Sequence, residues 1–249
     1  MKNVDIPVLK PNRTFVYFQG KANLKKAVVS KRRIRRLRWW LGVIFRRKQR
    51  IALPLELSVE YDGNAWCFTI CERSGLCGTS RLERCDRVLL RPQTPELRVI
   101  FNRKRPWVAE TYRILFGKIF YGDREQFSCG DVFSLETLRT DGIRALHCRD
   151  VAGLKEVILT HCKVRSADGE TMAIHGPDAL EIIGKVRLPP PEKSRIISAK
   201  FLVHFSDRTS VARVKIRHGN RAEFPPEVSE MIEQWLIERG FKYGNGHEK

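Results

Sequence analysis

"RIISAKFLVHFSDRTSVARVKIRHG", residues 195–219, is the stretch on which the fold turns. In its first arm Ala199, Phe201, Val203 and Phe205 alternate with Lys200 and His204. In its second arm Ala212, Val214 and Ile216 alternate with Arg213, Lys215 and Arg217. Side chains two apart on a strand share a face, so each arm has one apolar and one polar side. The two arms therefore read as a hairpin with a buried apolar face and an open basic platform. Arg213, Lys215 and Arg217 on that platform are candidates for phosphate contact, although nothing there reads bases. Any half-buried sheet needs one polar side, so the platform is the weaker of two candidate surfaces.

Working outward, "IRALHC" (143–148), "EVILTHCKVR" (156–165) and "TMAIHG" (171–176) read as strands, with "ADGE" (167–170) as a turn. "PDALEIIGKV" (177–186) reads as a short helix, and the consecutive prolines of "RLPPPEKS" (187–194) as a stiff extended connector. After Pro225 and Pro226, a helix places Val228, Met231, Ile232, Trp235 and Leu236 on one stripe, with Gly240 as its stop. Glu227, Glu230 and Glu233 sit early in it, where the helix dipole favours acids.

Toward the N-terminus, "LPLELSVEYDGNAWCFTICE" (53–72) reads as a second hairpin, with Asp62-Gly63-Asn64 supplying the turn. "RSGLCGTSRLERCDR" (73–87) reads as a loop, and "RVLLR" (87–91) and "ELRVIF" (96–101) as short strands. Pro106 opens a helix carrying Val108, Tyr112, Leu115 and Ile119 at helical spacing. The looser "YGDREQFSCGD" (121–131) is a candidate boundary.

The fold class expected from these elements is α+β. It comprises short antiparallel strands in hairpins, a long basic N-terminal helix and a C-terminal amphipathic helix. The expected organisation is an extended lead-in over 1–20, the basic helix over 21–50, a small α+β region over 51–120 and a C-terminal α+β domain over 131–241.

Charge points to partners rather than fold. The 249 residues hold 47 Lys and Arg against 28 Asp and Glu, a net charge of +19. Residues 21–50 alone supply 13 basic side chains and no acid, and the other 219 residues are near neutral. Within this segment "SKRRIRRLRWWLGVIFRRKQR" (30–50) has helical periodicity. At 100° per residue Ile34, Leu37, Leu41, Ile44 and Phe45 gather on one side, with Trp40 at its border. Arg32, Arg35, Arg36, Arg46, Arg47 and Arg50 gather on the other, with Trp39 and Val43 among them. Guanidinium forks suit phosphate oxygens, and an indole can stack on a base.

These features point to a nucleic-acid-binding protein, with DNA and RNA undistinguished, no cofactor, and other proteins as further partners in an assembly. The same helix suits an anionic membrane surface or an acidic protein partner. A metal-dependent nuclease built from scattered acids is the second alternative. Asp178, Glu181 and Lys185 share helical spacing, but no phosphate loop, nucleophile elbow or His-Glu metal helix is present.

Seven cysteines, at 67, 71, 77, 85, 129, 148 and 162, are odd in number and irregular in spacing. They read as small apolar groups in a cytoplasmic or other reducing compartment rather than as a disulfide framework. Cys67, Cys71, Cys77 and Cys85 lack the paired spacing of a zinc ribbon. No run reaches the length of a membrane-spanning helix, the apolar insert at Trp39–Phe45 being far too short. The acid-free stretch from Ile6 to Pro54 also has the composition of an organelle transit segment.

Overall fold

The computed structural model describes residues 7–9, 12–21, 27–49, 55–72, 84–91, 96–101, 106–176, 179–185 and 192–243. They divide into two compact units. One is Thr14–Gly130; the other combines Met1–Arg13 with Asp131–Lys249.

The first unit is an antiparallel sheet covered on one face by helices. Its strands are β1 (Arg13–Gly20), β2 (Leu55–Tyr61), β3 (Trp66–Glu72), β4 (Arg84–Arg91), β5 (Glu96–Phe101) and β6 (Phe127–Ser128). Their order is β2-β3-β4-β5-β1, with β6 also on β1. The register carries one apolar row straight across five strands: Val59, Phe68, Val88, Val99 and Val16. Helices α1 (Lys31–Gln49) and α2 (Pro106–Phe116) pack on this row through Leu37, Leu41, Phe45, Val108, Tyr112 and Phe116. At the hairpin turn the Asp62 carboxylate accepts from the Asn64 and Ala65 amides, and Gly63 takes the positive φ of 94°. These two amide bonds hold the Asp62 carboxyl below its usual pKa.

Helix α2 runs into a π turn at Gly117–Tyr121. The buried Arg113 guanidinium ties it down by a fork to Glu110 and a bond to the Phe127 carbonyl. Removing Glu110 would leave the buried guanidinium with only the more distant Glu125 carboxylate, at 3.6 Å, and the Phe127 carbonyl.

The second unit has the order β11-β10-β9-β7-β8, from β7 (Leu154–Ser166), β8 (Thr171–His175), β9 (Ser194–Phe205), β10 (Val211–Arg217) and β11 (Arg221–Phe224). All pairings between these strands are antiparallel; Val8 adds an isolated parallel bridge to Val211. Its helices are the short α3 (Thr137–Thr140) and α4 (Ala179–Lys185) and the longer α5 (Ser229–Glu238). Trp235 of α5 is fully buried against Phe201 and Phe241, with Ile232 and Leu236 beside it.

The α+β expectation is corrected here. Eleven antiparallel strands dominate the described residues, and helices are few and mostly short. The hairpins are neighbours within larger sheets because β5 pairs with β1 and β9 with β7 across long sequence separations. Local alternation carries no information about such pairings.

Several elements also differ locally. The basic helix, expected over 21–50, is observed over Lys31–Gln49; residues 27–30 are not helical, and 22–26 and Arg50 lie outside the described residues. "IRALHC" lies largely in a 3₁₀ turn (Gly142–Leu146), with Ile143 78% exposed and Gly142 at a φ of 55°. Cys71 and Cys85 stand directly opposite across β3 and β4 and form a disulfide, so they are not apolar filler. Residues 73–83, most of the expected loop, lie outside the described residues, as do 187–191 of the proline connector. Among the described residues no helix is long and apolar enough to cross a membrane.

Candidate nucleic-acid interface

Ser30 starts α1. Its carbonyl accepts from the Ile34 amide at 2.9 Å, and its hydroxyl faces the Arg33 amide at 3.4 Å, an N-cap arrangement. Leu37, Leu41 and Phe45 are buried, and Ile34, Trp40 and Ile44 are partly so. Arg33 is a structural arginine: it donates to the carbonyls of Phe120 at 2.7 Å and Val28 at 3.2 Å, fixing the helix start to the π turn. Trp40 sits beneath the Lys118 ammonium at 4.9 Å.

The other side of α1 is bare. Arg32, Arg35, Arg36, Arg46 and Arg47 are all exposed, and Arg38 and Lys48 with them. Among the described residues no carboxylate lies within ion-pair distance of these arginines. Trp39 is 61% exposed and touches Trp40 edge-on at 4.9 Å between ring centres. Val43 is half-buried rather than fully outward. Arg50 lies outside the described residues.

Apart from Arg33, whose hydrogen bonds fix the helix start, the charges of the first turn do not stabilise the helix. Lys31, Arg32 and Arg33 occupy its first turn, where no acid is present and the dipole disfavours cations, by roughly 0.3–1 kcal/mol each. Only Arg46, Arg47 and Lys48 in the last turn suit the dipole. From Arg35 to Arg46 the axis rises about 16 Å, or roughly five base steps of a nucleic-acid strand.

On the second unit's sheet, Arg213 and Arg217 are exposed and Lys215 is half-buried, while Ala212, Val214 and Ile216 are buried. Glu223 of β11 qualifies the site: it lies 3.6 Å from Lys215 and 3.2 Å from Arg217, partly neutralising both. Arg213 has no such carboxylate among the described residues. The same face gains His161 and His175, which were not assigned to it from sequence. The register aligns them with Lys200 and Lys215, already expected there, in one row across β8, β7, β9 and β10. Lys163 and Arg165 follow His161 on β7. His161 and His175 face each other with their Nδ1 atoms 3.0 Å apart. Burial, then Lys200 and His175, holds the His161 pKa below its ordinary value of 6.5. The alternation in "THCKVRS" (160–166) was the signal for this row; what it lacked was the strand partners.

Cys67 and Cys129 are outside any disulfide, as are the buried Cys148 and Cys162. Burial pushes the Cys162 thiol up to about 12, so it is inert at neutral pH. Cys77, Asp178 and the side chain of Lys185 lie outside the described residues; Glu181 is exposed. Among the described residues no three His, Cys, Asp or Glu side chains are grouped to hold a metal ion.

No protein-family model matches this chain, and comparison with curated proteins gave no match. The functional reading therefore rests on these surfaces alone.

Proposed function

We propose that this protein binds nucleic acid, DNA or RNA, by laying α1 along a phosphate backbone. Arg32, Arg35, Arg36, Arg46 and Arg47 hold phosphates, and Trp39 stacks on or wedges against a base. Leu37, Leu41 and Phe45 anchor the helix to the body. The role is docking, and no reaction is assigned to it. Arg213, Lys215 and Arg217 offer a weaker second contact. The observation that carries this reading is the exposed Trp39 standing among arginines that no carboxylate pairs among the described residues. Exposed like charges at neighbouring helical positions repel, and a polyanion relieves that cost.

Affinities for duplex DNA, single strands, folded RNA and anionic vesicles, measured side by side, test the reading. We expect oligonucleotide binding that Arg35→Ala with Arg36→Ala weakens. Binding to vesicles but not to oligonucleotides would instead assign the helix to a membrane surface.

We also place the protein in a cytoplasmic or other reducing compartment, supported by the cysteines outside any disulfide. The Cys71–Cys85 bond argues the other way. Mass spectrometry after thiol alkylation in intact cells separates the two: we expect Cys71 and Cys85 alkylated, and a protected pair would contradict the placement.

A further inference from the structure

At one end of the second unit's sheet, β7 and β9 are clamped together. Arg165 is paired with Arg195 and Ser166 with Ser194, and the Ala167 amide donates to the Lys193 carbonyl at 2.9 Å. Two exposed guanidinium groups thus spring from directly opposed positions on neighbouring strands, an arrangement of like charges that destabilises a sheet. Among the described residues no carboxylate forms an ion pair with Arg165, Arg195 or Lys193. The three line an open groove of 530 Å³ with Ser166, Glu192 and His218.

We propose that this groove is a binding site for a phosphate monoester. Three cations against the single Glu192 carboxylate leave a surplus of about two positive charges, which matches the charge of roughly −1.5 to −2 on a monoester at pH 7. A phosphodiester carries only one. Two arginine forks grip such a group bidentately, and the Ser166 hydroxyl supplies a further donor. The volume lies within the roughly 300–1,000 Å³ usual for small ligands. Among the described residues Ala167 and Ile197 are its only apolar lining and no Phe, Tyr or Trp lines it, so recognition is led by the phosphate rather than by a base stacked on one of those rings. The phosphate belongs either to a free nucleotide or to the 5′ end of a chain. The site does not depend on α1.

Calorimetry of the full chain against inorganic phosphate, adenosine 5′-monophosphate and adenosine tests this. We expect the first two to bind and adenosine not to. Arg165→Ala with Arg195→Ala should weaken binding of the monophosphate by about tenfold or more. The unliganded variant should melt no lower than the parent, because the like-charge pair is relieved. Arg165→Gln serves as a second, milder variant, with a smaller loss in the same direction. Matched oligonucleotides with and without a 5′-phosphate identify the source. A preference for the phosphorylated end that the double variant abolishes assigns the chain end, and monophosphate binding without that preference assigns a free nucleotide. Oligonucleotide binding lost while the monophosphate still binds would sink the α1 reading and leave the groove standing. No binding of phosphate or monophosphate, or monophosphate binding unchanged in the double variant, would overturn the site.

Discussion

Trp39 exposes 61% of its surface, whereas the other four tryptophans are half-buried or buried. Replacing it removes little packing, so Trp39→Ala should change stability by no more than about 0.5 kcal/mol. Single-strand affinity should drop by about 1–3 kcal/mol if the indole stacks on a base. Chemical denaturation and a binding titration on the same variant check both halves. His161 offers a pH test. Its pKa is held below 6.5, so the unfolded chain takes up its proton first as pH falls. Stability from this group is complete above about 6.5 and declines as pH drops toward the lower folded value. A polyanion on the face holding Lys200, Lys163 and Lys215 should offset the part of the depression that comes from those lysines, though not the larger part that comes from burial. NMR titration of His161 should show an upward shift on adding oligonucleotide. Trp39 was legible in the sequence because 100° spacing separates it from Leu37 and Leu41. The Arg165–Arg195 pairing was not, because 29 residues intervene and register alone opposes them.

Helix α1 keeps two independent sides. Leu41 is 1% exposed, and Leu41→Ala should cost about 2–5 kcal/mol. Gly42 has nothing within 4 Å of where a Cβ would stand, so Gly42→Ala should stabilise the protein by about 1 kcal/mol. Thermal or denaturant unfolding of the two variants should move in opposite directions; a destabilised Gly42→Ala would mean the helix is not docked as described. The apolar stripe of this helix was readable from the sequence. Its start was not, because the basic periodicity before Ser30 resembles the helix itself, although Ser30 three residues before Arg33 offered the cap signal. The hairpin at 55–72 was readable for a complementary reason: strict alternation flanks an Asp-Gly turn. "IRALHC" misled because a short apolar–polar alternation also fits a 3₁₀ turn, and Gly142 at positive φ was the discriminating residue.

At the scale of the molecule, most of the hairpin strands were readable from the sequence, but β1, β6 and β11 and the assembly of the sheets were not. The pairings β5 with β1 and β9 with β7 turn hairpins into sheets, and they join segments far apart in the chain. The same limitation hid the row from His175 to Lys215, since its members come from four strands. Charge distribution, by contrast, was legible from the start: 13 basic residues and no acid within residues 21–50. That concentration is what a phosphate backbone would meet, with counterions released as each phosphate is neutralised. The most direct measurement is the salt dependence of oligonucleotide binding. The logarithm of the binding constant should fall linearly with the logarithm of salt concentration. Arg35→Ala with Arg36→Ala should shallow that slope by about two on duplex DNA, one for each lost phosphate contact. An unchanged slope in the double variant would contradict the claim that α1 is the surface that meets the polyanion.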